Sequence, residues 1–475
     1  MSARSEPPWF QQARDDGGLV VSDPPKFDLD SYIANYKGKT RIARLLHIGQ
    51  TSSYLSNDAL RLAISEAREG KDVELYLRVV KVFHEIFPED PVSQTDTNWV
   101  DRVQREADAE SRRLEAELRG YKNNLIKESI RMAYDDMGRH YQHIGALGEA
   151  VKNFNKEREY CQLPAHIAIM VNRLINAHIE QNSWISVEAN VQKLRGLPQK
   201  PGEGEKLEAK LSAAQGLAEL STQQYRRAAL TLLDCNPRMI QSRLEDTAAD
   251  ESYGEVITPN DIASYGALCA LASMNRTELQ KNVLDNTKFR NYLELEPHLR
   301  RAVSSFVAGK YSQCLDILSA HRTDYILDLY LSPHYDQLVS MIRNKAIVQY
   351  FVPFSKVTFS ALATAFKTNE DDIIESLTEL IGSYSLPATL DLEDGLLVAN
   401  TAETRAEMFK AAMGAGQDYE KVLQSRLLRF AVSNANLDIS SPKQQGVGNG
   451  TGAGDLLMGR EYNAKGKGKP TKGFF

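Results

Sequence analysis

Residues 358–399 read TFSALATAFKTNEDDIIESLTELIGSYSLPATLDLEDGLLVA, and this stretch decides the fold. Thr358 to Phe366 is a short apolar helix. Thr368 stands three residues before Asp371, an N-cap signature. Ile373, Ile374, Leu377, Leu380 and Ile381 follow at helical spacing. Leu386–Leu390 and Leu396–Ala399 read as two short strands joined by an acidic turn that ends in Gly395. Two helices followed by a β-hairpin make a winged helix. Its second helix, the one that would enter a major groove, carries Glu370, Asp371, Asp372, Glu375 and Glu379. No Lys or Arg lies between Asn369 and Ser383. Groove readers need cations against phosphate, so this wing is expected to bind protein.

Upstream of the wing the chain repeats. Tyr134, Met137, Gly138 and Tyr141, then Gly145, then Ala150 and Phe154 follow the pattern of a tetratricopeptide unit. A small residue on each helix of a pair lets the two cross closely, and aromatic side chains fill the space around them. Small pairs recur in register: Gly138 with Ala150, Ala177 with Ala189, Gly216 with Ala228, and, after a longer gap, Ala302 with Cys314. The spacing predicts a right-handed solenoid of helix pairs. Before it, eleven of the nineteen residues from Asp101 to Arg119 are charged with mixed signs. That predicts a solvated helix with a narrow buried stripe of Val103, Ala107, Leu114 and Leu118. Nearer the start, Ile42, Leu45 and Leu46 share a helix face with Gly49 as a stop. Asn57 and Asp58 are expected to cap the next helix. Asp72 opens a third, with Tyr76, Val79, Val80, Phe83 and Phe87 on one stripe.

Below the wing, Thr404 to about Asn434 reads as helix, interrupted near Gly414 and Gly416. Tyr419, Val422, Leu423, Leu427 and Phe430 lie on one face, either packed back on the wing or offered to other chains. The expected organisation is a disordered tail over 1–25, a helical segment over 26–96, a repeat arm over 97–290 and a domain over 291–400. The last divides into a helical part, 291–353, and the winged helix, 354–400. A bundle helix over 401–436 and a disordered Gly/Lys-rich tail over 437–475 complete the chain.

The 475 residues carry a net charge of −6, which supplies no overall attraction to nucleic acid or acidic membranes. No apolar run approaches the ~18 residues of a membrane span. The polar N-terminus carries no signal-peptide pattern. Four scattered cysteines without a CxxC pattern suit a reducing compartment, so the expected location is cytoplasm and nucleus. No phosphate loop, nucleophile elbow or zinc-protease motif is present. His140 and His143 are three apart, but no acidic or thiol partner accompanies them. No cofactor, metal or catalytic group is expected.

Helical repeats that run into a winged helix with no catalytic motif resemble the PCI domain of large multisubunit complexes. From Tyr32 to Ala399 the chain resembles the COP9 signalosome subunit 1 family. The resemblance rests on residues 36–49 (YKGKTRIARLLHIG), 129–141 (SIRMAYDDMGRHY), 293–297 (LELEP), 328–334 (DLYLSPH) and 342–351 (IRNKAIVQYF). The Gly/Lys-rich end departs from the family pattern and suggests a fungal version. The resemblance implies a non-catalytic scaffold in a complex that removes NEDD8 from cullin-RING ubiquitin ligases, with the zinc isopeptidase in another subunit. It implies neighbours in subunits 2 and 3 and a shared bundle of C-terminal helices. On this reading the exposed edge of Leu396, Leu397 and Val398 pairs with another wing, and Val422, Leu423, Leu427 and Phe430 join the bundle. Two alternatives stay open: a PCI subunit of the proteasome lid, and a nucleic-acid-associated PCI adaptor.

Overall fold

A computed structural model describes residues 7–198, 204–237, 256–400, 404–435 and 437, and the chain is mostly helical. The expected 437–475 tail, Leu437 excepted, and most of residues 245–259 lie outside the described residues.

Residues 7–25 are not simply a tail. Helix α1 (Pro8–Asp15) starts on a proline, whose fixed φ suits a first turn, and buries Phe10 completely against α5 (Val73–Ile86). Val21 then bridges to Ser52. The density of Pro and Gly concealed the adjacent apolar pair Trp9 and Phe10. Helices α2 (Leu29–Ile33), α3 (Gly38–Thr51), α4 (Ser56–Glu69) and α5 follow and close a core with Leu45, Ile48, Leu60, Tyr76 and Phe83. Asp72 caps α5 as expected, accepting from the Leu75 amide at 3.0 Å. Gly49 does not stop α3, which runs on to Thr51. A Cβ there would lie 2.5 Å from Leu60, so the glycine serves the close crossing of α3 and α4. Helix α4 begins at Ser56, ahead of Asn57 and Asp58, and the Ser56 hydroxyl donates to the Gly49 carbonyl.

The charged stretch is the 28-residue α6 (Thr97–Asn124), with Trp99, Val103, Ala107, Leu114 and Leu118 as its buried stripe. Four helix pairs with three-residue turns then pack in series or in kind: α7 (Lys127–His143) with α8 (Leu147–Glu157), α9 (Pro164–Glu180) with α10 (Trp184–Arg195), α11 (Gly204–Ser221) with α12 (Tyr225–Leu233) and, further on, α15 (Pro297–Val307) with α16 (Tyr311–Ala320). Between the third and fourth pairs lie α13 (Pro259–Ser273) and α14 (Thr287–Leu293).

The close crossings occur where the small residues predict them in the first and third pairs. A Cβ on Gly138 would sit 2.3 Å from the Phe154 ring, and one on Gly216 2.4 Å from Leu232. The second pair is out of the expected register. Ala177 is buried, but Ala189 is exposed. The residues in the positions of Gly138 and Ala150 are Ile175 and Val187, both fully buried. Branched side chains fill that crossing, so a search for small residues lands two positions late. The spacing from Gly138 to Ala177 and from Ala177 to Gly216 is 39 residues each, but the crossing residue Ile175 lies 37 after Gly138 (175 − 138) and 41 before Gly216 (216 − 175).

What does repeat is the turn. Its second residue is left-handed each time: Gly145 (φ 91), Asn182 (φ 56), Gln223 (φ 61) and Gly309 (φ 78). In the last three turns the following amide reaches back five residues, Ser183 to the His178 carbonyl, Gln224 to Glu219 and Lys310 to Ser305, at 2.8–2.9 Å. This closes the open carbonyls of the first helix in a Schellman motif. The first turn is held otherwise: the Lys39 ammonium donates to the Gln142 carbonyl at 2.6 Å and pairs with Asp72 at 2.8 Å.

Helix α17 (Ser332–Phe351) lies against α13 and leads into the wing. Lys345 on α17 donates to the carbonyls of Leu271 and Met274 at the C-terminal end of α13. It supplies the charge and donors that a helix C-terminus lacks. Among the described residues, no helix is long and apolar enough to cross a membrane. Cys235, Cys269 and Cys314 are buried, Cys161 is half-buried, and none forms a disulfide.

Candidate protein-interaction site

Strand β1 (Lys356–Thr358) opens the winged helix. The Thr358 hydroxyl caps α18 (Phe359–Phe366) by accepting from the Ala361 amide at 3.2 Å. Left-handed Lys367 ends that helix. The next helix, α19 (Glu370–Gly382), takes Asn369 rather than Thr368 at its N-cap position, one residue later than the sequence spacing suggests. Glu370, Asp371 and Asp372 fill its first turn, where the helix dipole favours negative charge. Ile373, Leu377 and Leu380 face the core, while the five carboxylates of α19 are exposed. Among the described residues none of the five has an ion-pair partner. The face offered outward is uniformly acidic, which disfavours a phosphate backbone.

The sheet corrects the expected free edge. Strands β2 (Ala388–Asp391) and β3 (Leu396–Ala399) form the hairpin, and β1 pairs antiparallel with the other side of β3, giving the order β1-β3-β2. Lys356 faces Val398, and Thr389 faces Val398 from the opposite side. Leu396–Ala399 is therefore the central strand, with both edges occupied. Leu397 is fully buried, and Leu396 and Val398 are half-buried. Lys356-Val-Thr358 was too short to read as a strand from sequence. An edge of β2 is open within this sheet. Beside it the hairpin turn carries Leu392, 70% exposed, with Asp391 accepting from the amides of Glu393 and Asp394. Tyr384, left-handed at φ 56 and 95% exposed, follows the end of α19.

The C-terminal helix α20 (Thr404–Asn434) is a separate unit and runs without a break through Gly414 and Gly416. Its 31 residues span about 46 Å. Tyr419, Val422, Leu423, Leu427 and Phe430 are all exposed. Met408 and Phe409, also exposed, extend the same stripe by helical spacing. They were missed because a break was expected between the two halves. Ala412, Ala415 and Gly416 occupy the middle of this face, so a partner helix can approach closely there.

The repeat residues are structural. Tyr134, Met137, Ala150 and Phe154 are buried, as are Ala228 and the residues around Gly216, and Tyr141 is half-buried. His140 shares a hydrogen bond with Ser111 at 2.8 Å. Buried Asp135 pairs with Arg139 and Arg173, and half-buried Asp136 with Arg139. Among the described residues no group of His, Cys, Asp and Glu is placed to hold a metal.

Comparison with known proteins agrees with this architecture. The family model of 26S proteasome subunit RPN7 matches residues 96–282, and that of the PCI domain matches residues 318–401. COP9 signalosome complex subunit 1 of Emericella nidulans is 44% identical over 88% of this chain and 84% of its own length. The Arabidopsis thaliana protein of the same name is 38% identical over 86% of this chain and 90% of its own. The 26S proteasome non-ATPase regulatory subunit 6 of Oryza sativa is 20% identical over 68% of this chain and 80% of its own. The repeat arm, the PCI domain and the level of identity across nearly the whole length together place this chain in the COP9 signalosome subunit 1 family.

Proposed function

We propose that this chain is a non-catalytic scaffold within a COP9 signalosome that removes NEDD8 from cullin-RING ubiquitin ligases. The observation that carries the reading is α20, a long helix whose apolar stripe stays in water when the chain is alone. Such a stripe is stable once partner helices cover it. Subunits 2 and 3 are the proposed neighbours, cullin-RING ligases are reached through the complex, and cytoplasm and nucleus are the proposed locations. In the wing, the open edge of β2 takes the pairing role first given to β3, since a strand edge with free backbone groups is a template for another strand. The acidic face of α19 supports protein rather than nucleic acid as the partner.

The test is affinity purification of tagged chain, wild type against Leu423→Asp/Phe430→Asp, with intact-complex mass measurement and a deneddylation assay. An active multisubunit assembly with wild type that is lost with the double variant is the expected result. Recovery of proteasome-lid proteins instead would overturn the choice of complex. NEDD8 release from a cullin by the purified chain alone would overturn the scaffold role.

A further inference from the structure

Helices α1–α5 have a hydrophobic core of their own, while the arm and the PCI region share another. Among the described residues, no helix of this N-terminal lobe packs extensively along a helix of the body other than α6. The element that belongs to both is α6: Trp99 and Val103 sit in the lobe core, and Leu114 and Leu118 pack with α7. The family match to RPN7 begins at residue 96, the N-cap of α6, so the lobe lies outside it.

Elsewhere the seam is mostly polar, with Val21 of the lobe packed against the body core. The Lys26 amide donates to Asp324 at 3.0 Å, and His47 meets the Ile326 carbonyl at 3.0 Å. Tyr36 donates to Asp261 at 2.8 Å. Lys39 reaches the Gln142 carbonyl in the first repeat turn at 2.6 Å. At the centre is Arg44, fully buried, which donates to Asp328 at 2.6 Å and to Asp261 at 3.1 Å. Its guanidinium lies 4.0 Å from the centre of the Tyr36 ring. Both carboxylates belong to the body. Among the described residues, Leu327, next to Asp328, is the one apolar side chain of the body in the lobe core. Two clefts flank the latch. One of about 400 Å³ is lined by Phe27, Tyr36, Asp261 and Tyr325, and one of about 660 Å³ by Lys39, Asp72, Glu180 and Tyr330.

We propose that residues 7–96 form a movable lobe, hinged on α6 and latched to the body by Arg44 against Asp261 and Asp328. A planar guanidinium holding two carboxylates fixes one orientation, as a greasy patch does not. A desolvated ion pair nonetheless adds little net stability over its hydrated state. Opening would return three charges to water, from which the two clefts already approach, and would expose Leu327, Val21 and the Tyr36 ring as the apolar loss. A sharply defined closed state of modest net stability is a switching element. A partner that binds the open lobe more tightly would shift its angle to the arm.

The experiment uses the full chain in a Cys161→Ser background, the other three cysteines being buried. Spin labels are placed at Lys81→Cys on α5 and Arg290→Cys on α14, both exposed sites. The latch variant is Arg44→Met/Asp261→Asn/Asp328→Asn, which leaves no orphaned charge. Its inter-label distance distribution is expected to broaden about twofold, with amide exchange near residues 324–331 rising about tenfold and exchange in α3–α5 unchanged. Arg44→Lys, which keeps the charge but loses the two-pronged grip, is expected to fall between the two. An unchanged distribution in the triple variant would overturn the latch. Loss of protection in α3–α5 together with the seam would overturn the independence of the lobe. In unaltered chain, exchange at 324–331 no faster than in α3–α5 would count against both.

Discussion

Single residues fix the crossings and turns of the arm. Gly138→Ala would drive a methyl into the fully buried Phe154 ring and is expected to destabilise by about 1–3 kcal/mol. A lower urea midpoint at constant slope is the readout. Gln223 pays for its left-handed backbone without a contact that needs its side chain to be long. Gln223→Gly should therefore stabilise by roughly 0.5–1 kcal/mol, whereas Gly145→Ala should destabilise, since its methyl would strike the Asp72 carboxylate. Glu157 is fully buried, with one oxygen on Arg131 at 3.0 Å, and burial raises its pKa to about 7 from 4.5. A raised acid binds its proton more tightly in the folded state. Its contribution is thus complete below pH 4.5 and is lost as pH rises through 7. The stability of Glu157→Gln relative to the parent should rise across that window in paired thermal melts. A difference that stays flat with pH would show that Arg131 keeps Glu157 ionised throughout.

Elements were legible to the degree that their signal was local. The buried stripe of α6, the apolar face of α19 and the stripe of α20 are periodic patterns, and the structure has them where the spacing puts them. Less visible were features that depend on distant chain. Strand β1 is three residues long and exists because β3 is there to receive it. The shifted register of α9 and α10 reflects which side chains fill the crossing, and that depends on both helices at once. Helix α20 allows a direct test at this scale. Leu427→Asp lies on a surface that is exposed in the lone chain, so the unfolding midpoint should stay within about 0.5 kcal/mol of wild type. Self-association, measured by light scattering at rising concentration, should fall. A large loss of stability would instead mean that this face is covered within the chain.

For the whole molecule, sequence separated the arm, the wing and the terminal helix but gave no sign of how the first hundred residues meet the rest. The residues that join them are 217 apart for Arg44 and Asp261 and 284 apart for Arg44 and Asp328, and no periodicity connects such positions. Residues 36–49 stood out by resemblance; their physical role, a single buried guanidinium, needed the fold. The stripe on α20 also bears on the fate of the chain in a cell. Exposed apolar helix is what chaperones and proteolytic surveillance bind, and an unassembled copy carries that mark on its folded surface. Copies made in excess of their partners should be cleared while assembled copies persist, so the amount of this subunit would follow the supply of its neighbours. In a chase after overexpression, surplus chain should decay faster than the assembled pool, and Leu423→Asp/Phe430→Asp should live longer than unassembled wild type.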